Sequence, residues 1–362
     1  MNKGINIDLN GRPLRILLGG SPCTYWSIAQ KNNRETQAEG LGWELFKNYL
    51  IAKEKFKPDY FLYENNKSAA KEIKEQIVKE LGYPLQIIDS ALVSAQRRLR
   101  FYVKNWECPL PEDRGILLKD ILELSESVVE KEKAYCLCTD HVGTTRDYFK
   151  KRQSQIVFEP VRIGDIGSNS QAHRVYSCYG KSVNIVANGG GQGAKTGLYF
   201  VPLPDELVGL VCDKGKIYEV NDKKIDTKFG MFKINLPNGL YIIRKLTVTE
   251  ACRLQTMPDN YMKSVSQQQG YKGLGNGWTA EVIIHQLRYV LNGIPKNYPI
   301  EVLSMYDGIG TGYYCLDKMG FTNITYKAYE IDKYAINVAN DNYPVIQQMG
   351  DAFQVRENNW EY

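Results

Sequence analysis

The stretch Glu301-Val302-Leu303-Ser304-Met305-Tyr306-Asp307-Gly308-Ile309-Gly310-Thr311-Gly312 decides the fold class. Glu301–Tyr306 reads as a strand, and a helix follows the glycines through Met319. A glycine turn between a strand and a helix lets a ligand approach the backbone and aims helix N–H groups at it. The next candidate strand, Thr325–Tyr329, ends at Glu330, and an acid there can hold both hydroxyls of a ribose. Asp351, after a third candidate strand, can accept from an adenine amino group. The spacing from the glycines to Glu330 suits a βαβ unit. No phosphate-binding lysine follows the glycines, which argues against a P-loop enzyme. On these residues alone, a tight turn that binds nothing is an equally good reading.

Upstream, the same alternation recurs. Leu14–Leu18 is a short apolar run that breaks at Gly19-Gly20, and Trp43–Ala52 has helical spacing. Tyr60–Tyr63 is a strand candidate ending at Glu64, Ser68–Leu81 a surface helix, and Leu85–Ile88 and Leu99–Val103 further strands. Strands alternating with helices predict a mostly parallel sheet covered by helices. Between Gln155 and Tyr241 the helical period disappears and glycine rises, with short β-rich pieces such as Gly197–Val201 and Lys216–Val220. Helical signals return at Thr247–Gln255, where Thr247 and Glu250 fit a capping box, and again at Ala280–Leu291. Gly293, Pro295 and Pro299 form a connector to the strand quoted above. The expected division is 1–154 and 264–362 for one α/β unit, with 155–263 as a smaller β-rich domain.

Three further segments carry reactive side chains. Gly19-Gly20-Ser21-Pro22-Cys23 ends a strand, where open parallel sheets place their working residues, although a free cysteine is more commonly a buried structural residue. Glu64 also sits at a strand end, as a catalytic acid or as a solvated terminus. In Gln96-Arg97-Arg98-Leu99-Arg100, Arg98 and Arg100 share one face of an extended chain, suited to gripping a phosphate and a base or simply to facing water.

Bulk properties set wider bounds. Of 362 residues, 24% are charged and 43% hydrophobic, ordinary for a globular protein. Lysine and arginine exceed aspartate and glutamate by 46 − 41 = 5, which permits a polyanionic partner without requiring one. The eight cysteines have no paired spacing, which points to reduced thiols and a cytoplasmic protein. Cys136, Cys138 and His141 lie close together without a second ligand pair, so no metal is expected. Met1–Arg12 is polar, which argues against a signal peptide. No apolar run approaches the roughly 18 residues of a membrane span.

Taken jointly, the motifs are specific. Gly-Gly-Ser-Pro-Cys, then Glu64-Asn65, then Gln96-x-Arg98-x-Arg100, resembles the DNA cytosine-C5 methyltransferase family. So do Arg244-Lys245-Leu246-Thr247 with Glu250, Arg253-Leu254-Gln255 with Pro258-Asp259, and Gly275-Asn276-Gly277-Trp278. Leu303–Gly308 with Gly310 looks like that family's cofactor loop, Tyr329-Glu330-Ile331-Asp332 like its ribose motif, and Gly350-Asp351 like its third motif. The order differs: the cysteine motif comes first and the cofactor motifs last. This resembles a circular permutation that opens the loop between Asp351 and Leu14 and joins the old ends through Asn292–Ile300. Cuts at exposed loops are tolerated. Tyr306 stands where phenylalanine is usual, Asn66 replaces an apolar residue, and Gly277-Trp278 replaces a more typical Ser-Val pair.

The resemblance implies a Rossmann-like S-adenosylmethionine-dependent methyltransferase fold with a target-recognition domain. It implies transfer of a methyl group to C5 of a flipped-out cytosine in duplex DNA, with S-adenosylhomocysteine as product. Cys23 becomes the nucleophile, Glu64 the group at N3, Arg100 the holder of the cytosine carbonyl and Arg98 the holder of a neighbouring phosphate. The cofactor pocket falls to Pro22, Asn276, Trp278, Tyr306, Asp307, Gly308, Gly310, Thr311, Glu330, Ile331 and Asp351. Contacts to DNA fall to Ser27, Gln96, Gln171, Arg174, Gly189, Gly190, Gly191 and Lys195. A monomer is expected, with a restriction endonuclease as a possible partner. The competing readings are an RNA cytosine methyltransferase and an inactive DNA-binding relative. A protein that had lost activity would have no reason to keep Cys23, Glu64, Arg98, Arg100 and Glu330 together.

Overall fold

The computed structural model describes residues 11–27, 34–123, 160–165, 173–185, 197–211, 217–227 and 230–362. Before the glycine-rich middle come β1 (Leu14–Gly19), α1 (Gly40–Phe56), β2 (Tyr60–Asn66), α2 (Lys71–Leu81), β3 (Leu85–Asp89) and β4 (Leu99–Lys104). The middle supplies β5 (Arg162–Asp165), β6 (Arg174–Ser177), β7 (Leu198–Pro202), β8 (Tyr218–Asn221), β9 (Lys224–Thr227), β10 (Gly230–Lys233) and β11 (Gly239–Arg244). After it come α3 (Val248–Leu254), α4 (Gln267–Asn276), α5 (Ala280–Leu291), β12 (Ile300–Met305), α6 (Thr311–Lys318), β13 (Ile324–Tyr329), α7 (Lys333–Asn342) and β14 (Gln347–Gly350).

The main sheet runs β14-β13-β12-β1-β2-β4-β3. β1 and β12 are nearly continuous apolar runs because helices bury both of their faces. Leu17, Leu303 and Met305 face α1, against Phe46 and Tyr49. Leu14, Ile16, Leu18 and Val302 face the other side, against Ile283 and Leu287 of α5. The parallel register pairs Gly19 with Met305 and with Tyr63, and Met305 with Tyr329. β1, β12 and β13 therefore stop in line, while β2 runs three residues further to Asn66, so whatever follows the first three meets the end of β2 at a single edge.

Two expectations change here. Leu99–Val103 is not another parallel strand: β4 runs antiparallel to both β2 and β3. Its ladder holds β2 as far as Asn66, opposite Arg100, so Glu64 lies within a strand and not at its end. The second sheet, β10-β9-β8-β11-β7-β6-β5, has its own core of Val175, Leu198, Phe200, Val220, Tyr241 and Ile243. This sheet ends at Arg244. Ala251, Cys252, Leu254, Tyr261 and Met262 pack in one cluster with Leu274 and Ile283, which Tyr176, Tyr199 and Val201 of the second sheet also join.

The sequence-predicted capping box is present: Thr247 Oγ1 accepts from Glu250 N at 3.1 Å, and Glu250 Oε2 accepts from Thr247 N at 2.8 Å. The same carboxylate takes both guanidinium N–H groups of buried Arg244, at 2.8 and 2.6 Å. Breaking a buried pair strands one charge, so Glu250→Ala should lose about 3–5 kcal/mol of stability. Urea unfolding followed by circular dichroism measures it.

No helix among the described residues is long and apolar enough to cross a membrane. Cys136, Cys138 and His141 lie outside the described residues.

Candidate active site

At the aligned edge, β1 ends on two glycines for steric reasons. A Cβ on Gly19 would sit 2.7 Å from the Met305 carbonyl oxygen, and one on Gly20 would sit 2.6 Å from that of Glu64. The chain then turns through Ser21 and Pro22 into the 3-10 turn Cys23–Tyr25, where Trp26 N and Ser27 N donate to Cys23 O. Ser21 Oγ lies 2.7 Å from the hydroxyl of Tyr63, and Asn65 Nδ2 donates to Ser21 O at 2.9 Å. Asn65 and Tyr63 thus anchor the turn that carries half-buried Cys23.

Glu64 is buried. Its Oε1 lies 3.0 Å from Arg100 Nε, and its Oε2 accepts from Trp278 Nε1 at 3.0 Å. Burial pushes its carboxyl up in pKa, opposed by Arg100, Arg98 and the Trp278 bond. Arg98 is 3% exposed. Its guanidinium donates to Asn184 Oδ1, Ile185 O, Gly275 O and Gly277 O at 2.7–3.2 Å. Those four acceptors take both terminal nitrogens, so the phosphate grip expected of Arg98 would draw on groups already bonded within the protein, while its buried Nε has no partner among the described residues. Its position two residues before Arg100 on an extended chain turns it inward as well. Gln96 is 0% exposed, which corrects its expected place among the DNA contacts.

β12 ends at Met305, and Tyr306 follows in the left-handed region, at φ 62°. Its hydroxyl donates to Leu45 O at 2.7 Å and accepts from Asn48 Nδ2 at 3.3 Å, which fixes the ring. Asp307 Oδ1 accepts from Ser304 Oγ and Tyr326 OH, while its buried Oδ2 has no partner among the described residues. Burial, with Glu330 nearby, pushes the Asp307 carboxyl up to about 6. Gly308 adopts φ 65° over open space, and its N–H donates to Glu330 Oε2 at 2.9 Å. Glu330 Oε1 accepts from Ile331 N and Asp332 N, both at 2.8 Å.

Pro22, Cys23, Glu64, Arg98, Arg100, Asn276, Trp278, Tyr306, Asp307, Gly308, Thr311 and Glu330 line one cleft of about 1040 Å³, measured with its open mouth. Gly310, at φ 80°, starts α6 outside that lining, packed toward Ala339 and Ile346. Ile331 is 73% exposed, and Asp351 caps the following turn by accepting from Phe353 N. Ser27 lies just past the Cys23 turn, and Arg174 opens β6 on the second sheet. Gln171, Gly189, Gly190, Gly191 and Lys195 lie outside the described residues.

The profile of the C-5 cytosine-specific DNA methylase family matches residues 5–290. The chain belongs to this family. Methylation of cytosine C5 in DNA is the activity that membership carries. Over 304 residues the methylase is 27% identical to the type II methyltransferase M.HhaI of Haemophilus parahaemolyticus, covering 77% of this chain and 75% of that one. It is 26% identical over 284 residues to M.HpaII of Haemophilus parainfluenzae, covering 72% and 67%. A solved structure of the Entamoeba histolytica methyltransferase EhMeth aligns at TM-score 0.41 and 13% identity, over 77% of this chain and 78% of that one.

A methylase needs a methyl donor, and the cleft of this one suits S-adenosylmethionine. Three backbone N–H groups lock Glu330 in place, as a ribose-holding acid requires. The orphaned Asp307 Oδ2 suits a cationic group, and a Cβ at Gly308 would meet nothing.

Sequence reading named Asn276 but not the helix α4 that it ends, and so missed Gln269 and Lys272, which the same helix brings to the cleft. Its run Gln267–Asn276 carries too many glycines to show a helical stripe. Those glycines serve packing: a Cβ on Gly273 would lie 2.9 Å from Ile309 of the cofactor loop.

Proposed function

We propose that this methylase acts through a covalent adduct between Cys23 Sγ and C6 of a cytosine turned out of the DNA duplex. The observation that carries the reading is one cleft in which Cys23, Glu64 and Arg100 stand beside the Glu330 and Gly308 turn. C5 of cytosine is a poor nucleophile until something adds at C6. In this reading the Cys23 thiolate adds there, Glu64 holds a proton at N3 as charge builds, and Arg100 holds the carbonyl oxygen. The raised proton affinity of buried Glu64 favours that role. S-adenosylmethionine, held by Glu330, Asp307, Tyr306 and Gly308, supplies an electrophilic methyl group when bound. A base or water then takes the C5 proton, and the electron pair of that bond restores the C5–C6 double bond as the C6–sulfur bond breaks and the Cys23 thiolate leaves. The target base is reachable only outside the helix, at a cost of a few kcal/mol.

The motif order is read as a circular permutation. β12 lies in parallel register with β1, so that Arg15 and Glu301 pair across 286 residues of sequence. The family match likewise stops at residue 290, before β12. Target reading is assigned to the second sheet and its loops, Arg174 included, on double-stranded DNA.

Bisulfite sequencing of DNA from cells expressing the protein tests the whole reading. Protected cytosines at one recurring sequence are expected. A methyl group on adenine or on cytosine N4, or modification of transfer RNA alone, would overturn it.

A further inference from the structure

Glu64 is held along two routes that start from the segment Arg98–Arg100, where β4 begins. The direct one is Arg100 Nε to Glu64 Oε1 at 3.0 Å. The indirect one starts at Arg98, two residues earlier on the same extended segment. Arg98 donates to the carbonyls of Gly275 and Gly277, at 3.0 and 2.7 Å, and so fixes the loop that ends α4. The next residue on that loop is Trp278, whose indole N–H reaches back across the cleft to Glu64 Oε2 at 3.0 Å. The two partners are 214 residues apart in the chain.

We propose that Trp278 is a positioning residue for methyl transfer: its indole N–H fixes the orientation in which the Glu64 carboxylate meets N3 of the cytosine. The inference rests on the role given to Glu64 above. A carboxylate oxygen has two lone pairs, so the Trp278 bond leaves one for the substrate. Without that bond, Oε2 loses its partner in a buried site and the carboxylate turns about the single contact to Arg100. An N–H donor also favours the charged form, so its removal raises the proton affinity of Glu64. The charged groups acting on Glu64 are Arg100 of β4 and Arg98 just before it; Tyr102 lies opposite Glu64 in the β2–β4 ladder, and Tyr63, next to Glu64 on β2, packs on the other face of the sheet.

Two variants test this. Trp278→Phe keeps a ring and removes the donor. Benzothienylalanine at position 278 replaces only the N–H, by sulfur, and serves if the phenylalanine variant does not fold. In each, kcat should fall roughly 10- to 100-fold, the worth of a hydrogen bond to a charged group. KM for S-adenosylmethionine should hold, and the limb of the pH–kcat profile set by Glu64 should move to higher pH. Independently of activity, the Trp278 indole 15N resonance should titrate in the wild type and stop titrating in Glu64→Gln. A rise in KM with unchanged kcat and an unmoved limb would reduce Trp278 to cofactor packing and end the proposal. If the wild type is active and Glu64→Gln is not, undisturbed Trp278 variants sink this inference alone. If Glu64→Gln works as well as wild type, the reading of Glu64 fails and this inference with it.

Discussion

Cys23→Ala is expected to lose methyl transfer by at least roughly 10⁴-fold, about 5.4 kcal/mol on the barrier, while keeping its fold and its affinity for S-adenosylmethionine. The separation follows from how the site is built. The sulfur sits on a turn secured by Ser21, Tyr63 and Asn65, and none of these bonds involves Sγ. The residues assigned to the methyl donor hang from β12 and β13, where Glu330 is locked by its own backbone bonds. Removing one sulfur atom leaves both arrangements standing. Only the activation of the ring is lost, and nothing else described at the cleft offers a thiolate. A DNA duplex carrying 5-fluorocytosine gives a second reading. Fluorine at C5 cannot leave as a proton does, so the adduct persists and the wild type should run with DNA on a denaturing gel. Cys23→Ala should give no such band. A variant that methylates at the wild-type rate would remove Cys23 from the mechanism and leave the cleft without a nucleophile.

Sequence and structure agree best where a residue's role is local. β1 and β12 are legible because strands buried on both faces must be apolar throughout. The Thr247–Glu250 box is legible because its two bonds span three residues. Glu330 is legible because a strand, a glycine turn and an acid at the next strand end form a repeating unit. What stayed hidden depends on partners far along the chain. Nothing near Arg98 says that its acceptors are carbonyls at 275 and 277, and an arginine beside a reactive segment reads more naturally as a phosphate grip. Trp278 reads as an aromatic cofactor wall until Glu64 is found beneath it. The direction of β4 is equally silent, since the apolar alternation of a strand is the same whichever way it runs. That direction extends β2 through Glu64 and places Arg100 near the carboxylate. Sequence thus marks the reactive groups, while the contacts that aim them arise from sheet topology.

Gly20→Ala should be the most damaging single methyl group at this site, although Gly20 itself carries no reactive atom. The added Cβ would lie 2.6 Å from the Glu64 carbonyl oxygen and 3.1 Å from Glu64 Oε2. A flexible side chain could move aside, but a backbone carbonyl in the middle of a sheet cannot. β2 is pinned on one side by β1, through Gly19 and Tyr63, and on the other by β4, through Tyr63 with Val103 and Glu64 with Tyr102. The strain must therefore push β1's end outward, and the Pro22-Cys23 turn moves with it. Overpacking of this kind costs about 1–3 kcal/mol of stability. The larger effect falls on rate: a displacement near 1 Å between sulfur and carboxylate is worth roughly 10²-fold in kcat. Gly209→Ala is the matched control. Its Cβ meets nothing within 4 Å, so it should change stability by less than about 0.5 kcal/mol and leave the rate alone. Thermal unfolding and single-turnover methylation on both variants decide the matter. If Gly20→Ala were as fast as Gly209→Ala, the spacing between the cysteine turn and Glu64 would not govern the chemistry, and the two glycines would serve the sheet alone.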